Sequence, residues 1–203
     1  MKGTDLKVFI NTGTFAEYAN NDGNLVPAYL YAATKTAFRA VVEYYRNLRK
    51  FKVITVIPYT IYGAKDTRKK LVDYIYESIY SSAPVNMSPG EQVLDFIHVN
   101  DVVSFYLKAI QSIDKLKDNN YEISLGTGRG ATPKQIASML EGITSLKPNI
   151  NWGGIQYRAT DTMYSISSKS ELNTILNWDP EIRLEEGLRL YIQLLEEKNK
   201  IYT

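Results

Sequence analysis

The chain of 203 residues has no cysteine, so neither a disulfide framework nor thiolate chemistry is available to it. Its one histidine, His98, excludes a histidine-rich metal site. No run approaches the roughly 20 consecutive apolar residues that a membrane-spanning helix needs. There is no excess of one charge: 24 Lys and Arg face 22 Asp and Glu, a net charge of +2. That balance argues against nucleic acid or an anionic membrane as partner. The densest basic cluster is only Arg68-Lys69-Lys70. The opening Met1-Lys2-Gly3-Thr4-Asp5 does not read as a secretory leader, and with the lack of cysteine it leads to the expectation of a cytoplasmic protein. Apolar content of 44% and charged content of 23% fit an ordinary folded core. What is abundant is tyrosine. The sixteen tyrosines suit sugar or base stacking and core packing equally, so both readings are open.

Along the chain, Lys7–Asn11 and Val53–Ile57 read as short buried strands, joined by a helix from about Tyr29 to Lys50. Strand, long helix, strand makes one βαβ unit, and β-branched strands suit a parallel sheet covered on both faces. The helix carries Phe38, Val41, Val42, Tyr45 and Leu48 at helical spacing. Asn20–Asn24 and Tyr59–Lys65 are expected to be loops, Lys69–Ser81 a helix and Ser88–Glu91 a turn. Val93–Val99 is a predicted strand, followed by a helix over Val102–Ile113 with Asn100 or Asp101 as its N-cap. Tyr121–Leu125 is a third candidate parallel strand. Thr132-Pro133 starts a helix with proline at its first position. Ile150–Trp152 is extended, and Ser168–Leu176 and Leu184–Lys198 are helical.

The chemistry-bearing feature is Tyr31 and Lys35, four residues apart and so one turn apart on one helix face. An ammonium beside a phenol stabilises the phenolate against its usual pKa of about 10. A lysine can also hold a ribose. A tyrosine packed beside a surface lysine is the plain alternative. Context favours the chemical one: the pair opens the helix between two buried strands, and Thr14 sits just past the end of the preceding strand. Open α/β sheets bind ligands at the carboxyl ends of their strands, so a hydroxyl, a phenol and an ammonium would converge there.

At these residues the sequence resembles the extended short-chain dehydrogenase/reductase family, the nucleotide-sugar epimerases, dehydratases and reductases. Phe9-Ile10-Asn11-Thr12-Gly13-Thr14-Phe15-Ala16-Glu17-Tyr18 is similar to its strand-end segment, Ile57-Pro58-Tyr59-Thr60-Ile61-Tyr62-Gly63 to the loop after the next strand, and Asp95-Phe96-Ile97-His98-Val99-Asn100-Asp101 to its Asp-Phe-Ile-His-Val-x-Asp segment. Tyr121–Gly128 resembles the last strand of its sheet, and Arg158-Ala159-Thr160-Asp161 its diphosphate-holding Arg-Pro-Gly-Asp. Leu176–Pro180 and Leu184–Leu188 match its C-terminal helix pair. The resemblance implies an α/β fold: the C-terminal part of a Rossmann-like doubly wound parallel sheet (residues 1–57 and 93–130) plus a small α/β substrate domain (residues 58–92 and 131–203). It implies Thr14, Tyr31 and Lys35 as catalytic residues, with Tyr31, Lys35 and Pro58 toward NAD or NADP. It also implies Thr60, Arg158 and Asp161 toward a nucleotide-diphosphate sugar, and a homodimer through the Tyr31–Lys35 helix. The expected reaction is hydride transfer at a sugar carbon, by an epimerase or a 4-keto-sugar reductase.

Departures narrow this. Phe15-Ala16 stands where sugar dehydratases carry an Asp-Glu pair, which disfavours dehydration. Thr60 replaces the family's loop asparagine, and Leu94 an arginine that binds phosphate. Arg68, Lys69 or Lys70 could compensate, or could be a solvated surface run. Thr12-Gly13-Thr14 and Tyr157-Arg158 lean toward the subgroup of CDP-sugar epimerases and 4-keto-sugar reductases. Gly126-Thr127-Gly128-Arg129-Gly130-Ala131 fits the dinucleotide pattern Gly-x-Gly-x-x-Gly/Ala. The required acidic residue roughly 20 positions on is absent from the next extended run, so the motif is rejected. The resemblance places the family's own glycine loop on a first strand outside this sequence, and so implies that about 110–120 residues, at roughly 30 per βαβ unit, are expected upstream. A fragment, a truncated product and a half completed by another chain are all consistent with that, as is a non-catalytic remnant that binds nucleotide sugar or acts as a scaffold.

Overall fold

Runs of Val, Ile and Thr form the strands and a tyrosine-rich amphipathic segment forms the longest helix. The computed structural model describes residues 6–18, 23–64 and 66–201; most of the Asn20–Asn24 loop and all of Met1–Asp5 lie outside them. Strand β1 (Val8–Thr12), helix α1 (Leu30–Arg49) and strand β2 (Lys52–Pro58) make the expected βαβ unit. Among the described residues β1 pairs with β2 alone, in parallel, with Ile10 opposite Ile54. Strand β6 (Asn120–Leu125) pairs in parallel with the other edge of β2, placing Ile54 opposite Tyr121. Ile54, Val56, Ile123 and Leu125 are fully buried, as strands covered on both faces require.

The second layer system begins inside the expected Tyr59–Lys65 loop, where Thr60–Tyr62 forms β3. Helix α2 (Leu71–Ser78) is shorter than Lys69–Ser81 and is followed by β4 (Val85–Met87). Strand β5 (Val93–His98), grouped by the sequence with the Rossmann-like residues, hydrogen-bonds to β3 rather than to the β1–β2–β6 sheet. Helix α3 (Val99–Gln111) starts three residues earlier than expected, because His98 caps it: its Nδ1 accepts the Asn100 N–H at 3.3 Å. Neither Asn100 nor Asp101 is the cap. The Asp101 carboxylate instead accepts the N–H groups of Glu181 and Ile182, at 3.2 and 3.1 Å.

Strand β7 (Gly130–Ala131) pairs antiparallel with β5. Helix α4 (Pro133–Thr144) opens with Pro133 at its first turn, and its cap Thr132 accepts the Gln135 N–H at 3.1 Å. Strand β8 (Ile150–Trp152) pairs with β4, and β9 (Tyr164–Ser165) with β5. Helix α5 (Glu171–Leu176) begins at Glu171 rather than Ser168, since Asn173 reaches back to the Ser170 N–H at 2.9 Å. Helix α6 (Leu184–Ile201) closes the described chain.

Two large apolar clusters lie against the β1–β2–β6 sheet and around β5. One packs Phe105 and Trp178 against β2 and β6; the other packs Ile75, Leu140 and Tyr191 around Phe96. Helix α1 departs from ordinary intramolecular packing. Of its apolar stripe only Val42 is buried, while Phe38, Val41, Tyr45 and Leu48 are 41–59% exposed. No helix among the described residues is long and apolar enough to cross a membrane.

Candidate active site

Parallel strands end on one side of their sheet, and Thr12 and Pro58 are the last residues of β1 and β2. Thr14 follows β1 and caps a single 3-10 turn, Phe15–Glu17, which reverses the chain over that end. Thr14 is buried. Phe15 stacks on Tyr59 with centroids 5.7 Å apart, which sets the Thr14 segment beside Pro58, Tyr59 and Thr60. Tyr31, on the first turn of α1, is 52% exposed and stacks on Tyr29. The Lys35 Nζ lies 5.6 Å from the Tyr31 ring centroid and donates to the Thr12 carbonyl at 3.0 Å. One ammonium thus touches both the helix that carries the phenol and the strand end that leads to Thr14. Burial pushes the phenols of Tyr29, Tyr59 and Tyr106 above the usual tyrosine range, which removes these neighbours as bases at neutral pH.

A network the motif reading missed lies directly behind these groups. Glu17 is fully buried. Its Oε1 accepts the Thr14 N–H at 2.8 Å, and its Oε2 accepts Arg39 Nε at 2.7 Å and Thr36 Oγ1 at 3.2 Å. Arg39 also reaches Glu122, which accepts the Tyr18 hydroxyl at 2.7 Å. Burial opposes the Arg39 charge, but its bonds to Glu17 and Glu122 outweigh that and hold its pKa above its ordinary value. Burial and Glu122 together keep the Tyr18 phenol neutral. The signal for Glu17 was in the sequence: Thr14-x-x-Glu17 is a capping-box pattern.

The Gly126–Ala131 segment holds a carboxylate of its own chain. Asp95, fully buried, accepts the N–H groups of Thr127 and Gly128 at 2.9 Å, the Thr127 hydroxyl at 2.6 Å, and the Ser167 N–H and hydroxyl at 3.1 and 2.6 Å. A Cβ at position 126 would meet Asp95 Oδ2 and Ser167 Oγ, each at 2.5 Å, so glycine is required by the close approach of these groups. The donors that a phosphate would use are therefore already satisfied.

Arg158 and Asp161 form a tight turn, in which Asp161 Oδ2 accepts the Arg158 N–H at 2.9 Å. Tyr157 ties this segment to the 88–92 turn, accepting the Glu91 N–H at 2.8 Å and donating to Gln92 at 3.0 Å. The Arg158 guanidinium has no partner among the described residues and is exposed. No hydrogen bond, ion pair or ring contact among the described residues joins Arg158 or Asp161 to Thr14, Tyr31 or Lys35. Thr60 is half-buried in β3, opposite Phe96. In the basic run, Lys69 pairs with Glu77 and Lys70 with Asp66, leaving only Arg68 without a side-chain partner. A cleft of about 530 Å³ between the β5–β7 edge and the start of α6 is lined in part by Thr127 and Arg129–Ala131 of the glycine motif, but by none of Thr14, Tyr31, Lys35, Pro58, Thr60, Arg158 and Asp161.

Residues 1–124 match the model of the NAD dependent epimerase/dehydratase family. The chain belongs to that family. Its relatives include CDP-abequose synthase of Salmonella typhimurium, 27% identical over 93% of this chain and 62% of that protein. UDP-glucuronate 4-epimerase of Thermodesulfobacterium geofontis is 28% identical over 78% of this chain and 48% of that protein. Among solved structures, MoeE5 in complex with UDP-glucuronic acid and NAD superposes with a TM-score of 0.82 at 21% identity, over 95% of this chain and 66% of that one. UDP-glucuronic acid 4-epimerase of Bacillus cereus gives a TM-score of 0.84 at 20% identity, over 97% and 63%. These likenesses show the Rossmann-like α/β fold. The chain spans less than two thirds of the length of these family members.

The family's cofactor fits this chain at one end only. An exposed phenol and an ammonium at the carboxyl end of β1 suit a nicotinamide ribose. The Gly126–Ala131 loop offers the pyrophosphate no cradle, because its Thr127 and Gly128 amides are taken by Asp95.

Proposed function

We propose that the chain is the catalytic and substrate-binding part of an NAD(P)-dependent nucleotide-sugar epimerase or 4-keto-sugar reductase. The observation that carries this is the Lys35 ammonium held between the Tyr31 ring and the Thr12 carbonyl at the end of β1. NAD(P), when bound, accepts or returns a hydride at a sugar carbon. Tyr31 takes the proton of the sugar hydroxyl at its phenol oxygen, or returns it. Lys35 places its ammonium beside the Tyr31 ring and orients the ribose there. Thr14 hydrogen-bonds the reacting sugar oxygen, and Pro58 closes the nicotinamide side. Thr60 and Arg158 bind the nucleotide-diphosphate sugar, Arg158 through charge-assisted bonds to the diphosphate. Asp161 holds the Arg158 turn. The several CDP-abequose synthases among the relatives favour a CDP-linked sugar.

In this reading residues 1–57 and 93–130 serve the cofactor side and residues 58–92 and 131–203 the sugar, with β5, in the first group, paired to β3 of the second. A homodimer through α1 would cover Phe38, Val41, Tyr45 and Leu48. A cytoplasmic location accords with a cofactor and substrates of that compartment. The test joins this chain to a glycine-loop half, supplied in cis or in trans, and follows NADH or NADPH absorbance with CDP- and UDP-sugars. Turnover abolished by Tyr31→Phe supports the assignment; undiminished turnover removes Tyr31 from the mechanism.

One observation favours a second reading. Because Asp95 fills the only Gly-x-Gly-x-x-Gly/Ala loop, the chain alone is suited to bind nucleotide sugar without a cofactor, as a non-catalytic binding or scaffold protein. Calorimetry separates the two: absence of NAD(P)(H) binding at millimolar ligand by every form of the protein, with sugar-nucleotide binding retained, favours the second.

A further inference from the structure

The residues assigned to the reaction lie on two separate elements. Thr14 sits on the 3-10 turn after β1, while Tyr31 and Lys35 sit on α1. One carboxylate reaches both elements, beside the Ala28 N–H bond to the Ala16 carbonyl at 2.9 Å and the Tyr18–Val26 bridge, which tie the turn to the segment before α1. The Oε1 of Glu17 holds the backbone N–H of Thr14, and its Oε2 holds Arg39 and Thr36 on α1. Tyr31, Lys35 and Arg39 stand at four-residue intervals, one above another on the same helix face. The face therefore meets the strand-end segment at two points, Lys35 on Thr12 and Arg39 on Glu17. Space has been made for this. A Cβ on Gly13 would collide with Glu17 Oε1 and come within 2.9 Å of Ile57 Cδ1.

Charge explains why the bridge is an ion pair. Lys35 and Arg39 are like charges four residues apart on a helix, an arrangement that is unfavourable by itself. Glu17 and Glu122 flank the guanidinium, so the repulsion along the helix is offset and Lys35 stays free for its own partners. Chemistry explains why the residue is glutamate. Two acceptor oxygens face two different elements, and an amide has only one acceptor oxygen.

We propose that Glu17 is a positioning residue that sets Thr14 against the Tyr31–Lys35 turn by bridging the two elements through its two carboxylate oxygens. The functional half of this statement rests on the oxidoreductase reading above; the geometric half does not.

The test is Glu17→Gln, read by amide hydrogen exchange in the 203-residue chain and by steady-state kinetics in the form completed with a glycine-loop half. Gly13 is the internal control: it packs beside Glu17, but its N–H bonds to the Val56 carbonyl at 2.8 Å and not to the carboxylate. The expected result is exchange at Thr14 faster by tenfold or more, with Gly13 unchanged, and a kcat lowered at least tenfold with KM within twofold. A residue that only stabilises the fold would speed Thr14 and Gly13 together. That outcome overturns the proposal, as does unchanged exchange at Thr14. Selective loss at Thr14 with kcat unaltered overturns the positioning role. Selective loss at Thr14 in a protein whose unsubstituted form never turns over supports the bridge and sinks the oxidoreductase reading instead. Should Glu17→Gln not fold, Glu17→Asp keeps charge and both oxygens but is one methylene too short to span, and the same two amides report it.

Discussion

Lys35 donates its ammonium to the carbonyl oxygen of Thr12 across 3.0 Å, so the helix that carries Tyr31 is fastened to the last residue of the strand that leads to Thr14. Replacing Lys35 by methionine keeps the apolar stem and removes the donor and the charge. A charge-assisted hydrogen bond of this kind contributes about 1–2 kcal/mol. The expected outcome is a fall in the urea midpoint corresponding to about that amount. In a form completed with the glycine loop, turnover should fall by more than 100-fold, far beyond what the lost stability explains. A loss of stability with turnover intact would confine Lys35 to the fastening role.

Asp95 is the most heavily hydrogen-bonded side chain described here, and it fills the loop that the dinucleotide pattern points to. Asp95→Asn presents one acceptor and two donors to a ring of donors, so at least one buried group loses its partner. Unsatisfied buried groups cost about 1–3 kcal/mol each, and more when a charge is involved. We expect a destabilisation of about 3 kcal/mol or more by urea unfolding. By the same geometry, Arg129→Ala should leave the NAD(H) affinity of a completed form unchanged within twofold; a tenfold loss measured by calorimetry would restore the loop as a phosphate site.

The two motifs show what the sequence could and could not yield. The Tyr31–Lys35 turn and the place of Thr14 past β1 are legible because helix spacing and strand ends are local properties; the bond of Lys35 to the Thr12 carbonyl is not. A missing acidic residue is not the whole physical reason against the glycine loop. Its occupant, Asp95, lies 32 residues upstream, and pattern reading has no means of pairing residues across that distance. The cap of α3 was missed because histidine is an uncommon cap, and Asp101, the better cap by propensity, is drawn away by the backbone of Glu181 and Ile182. Strand β3 was missed because Thr60–Tyr62 is too short to show periodicity and exists only through its pairing with β5.

His98 gives the fold a pH dependence of known sign. Its imidazole is buried, and burial lowers its pKa, with Asp101 and Glu186 pulling part of the way back. Nδ1 is occupied as the acceptor of the Asn100 N–H, so a second ring proton displaces that bond. The unfolded chain binds the proton near pH 6.5 and the folded chain only at lower pH. Stability is therefore full above about pH 6.5 and falls as the pH drops through that value, until the folded-state pKa is reached. The slope cannot exceed about 1.4 kcal/mol per pH unit for one proton. Urea midpoints between pH 5.5 and 7.5 should show the fall. His98→Asn keeps a capping oxygen and should flatten it; an undiminished slope would assign the effect to other groups.

The exposed stripe of α1 predicts association. Phe38, Val41, Tyr45 and Leu48 repeat at the spacing of one helix face, and Tyr44 beside them is 65% exposed. A contiguous apolar patch on a long helix marks an interaction surface. Two copies facing each other through α1 would bury it, and the reading makes a specific demand on charge. Val41→Glu or Leu48→Glu puts a carboxylate into each side of a symmetric interface, where the two copies repel. Each should convert a dimer to a monomer in sedimentation velocity at micromolar concentration, while the circular dichroism spectrum stays unchanged. A wild-type chain that sediments as a monomer up to about 100 µM would sink the reading.

Arg158 supplies the last prediction, because it separates the sugar-nucleotide side from the redox side. Its guanidinium is unpartnered among the described residues and its turn is fixed by Asp161, so its removal costs the fold little. Arg158→Ala should weaken binding of a CDP- or UDP-sugar by about 1–3 kcal/mol, roughly 5- to 150-fold in Kd, with the urea midpoint nearly unchanged. Arg158→Lys should recover only part of this, since a point charge cannot reproduce two parallel hydrogen bonds to a diphosphate. The comparison with free CDP and with the sugar 1-phosphate locates the contact. If the guanidinium grips the diphosphate, the CDP-sugar and free CDP lose affinity together and the sugar 1-phosphate does not. Equal losses for all three ligands would place Arg158 as a long-range electrostatic attractor instead.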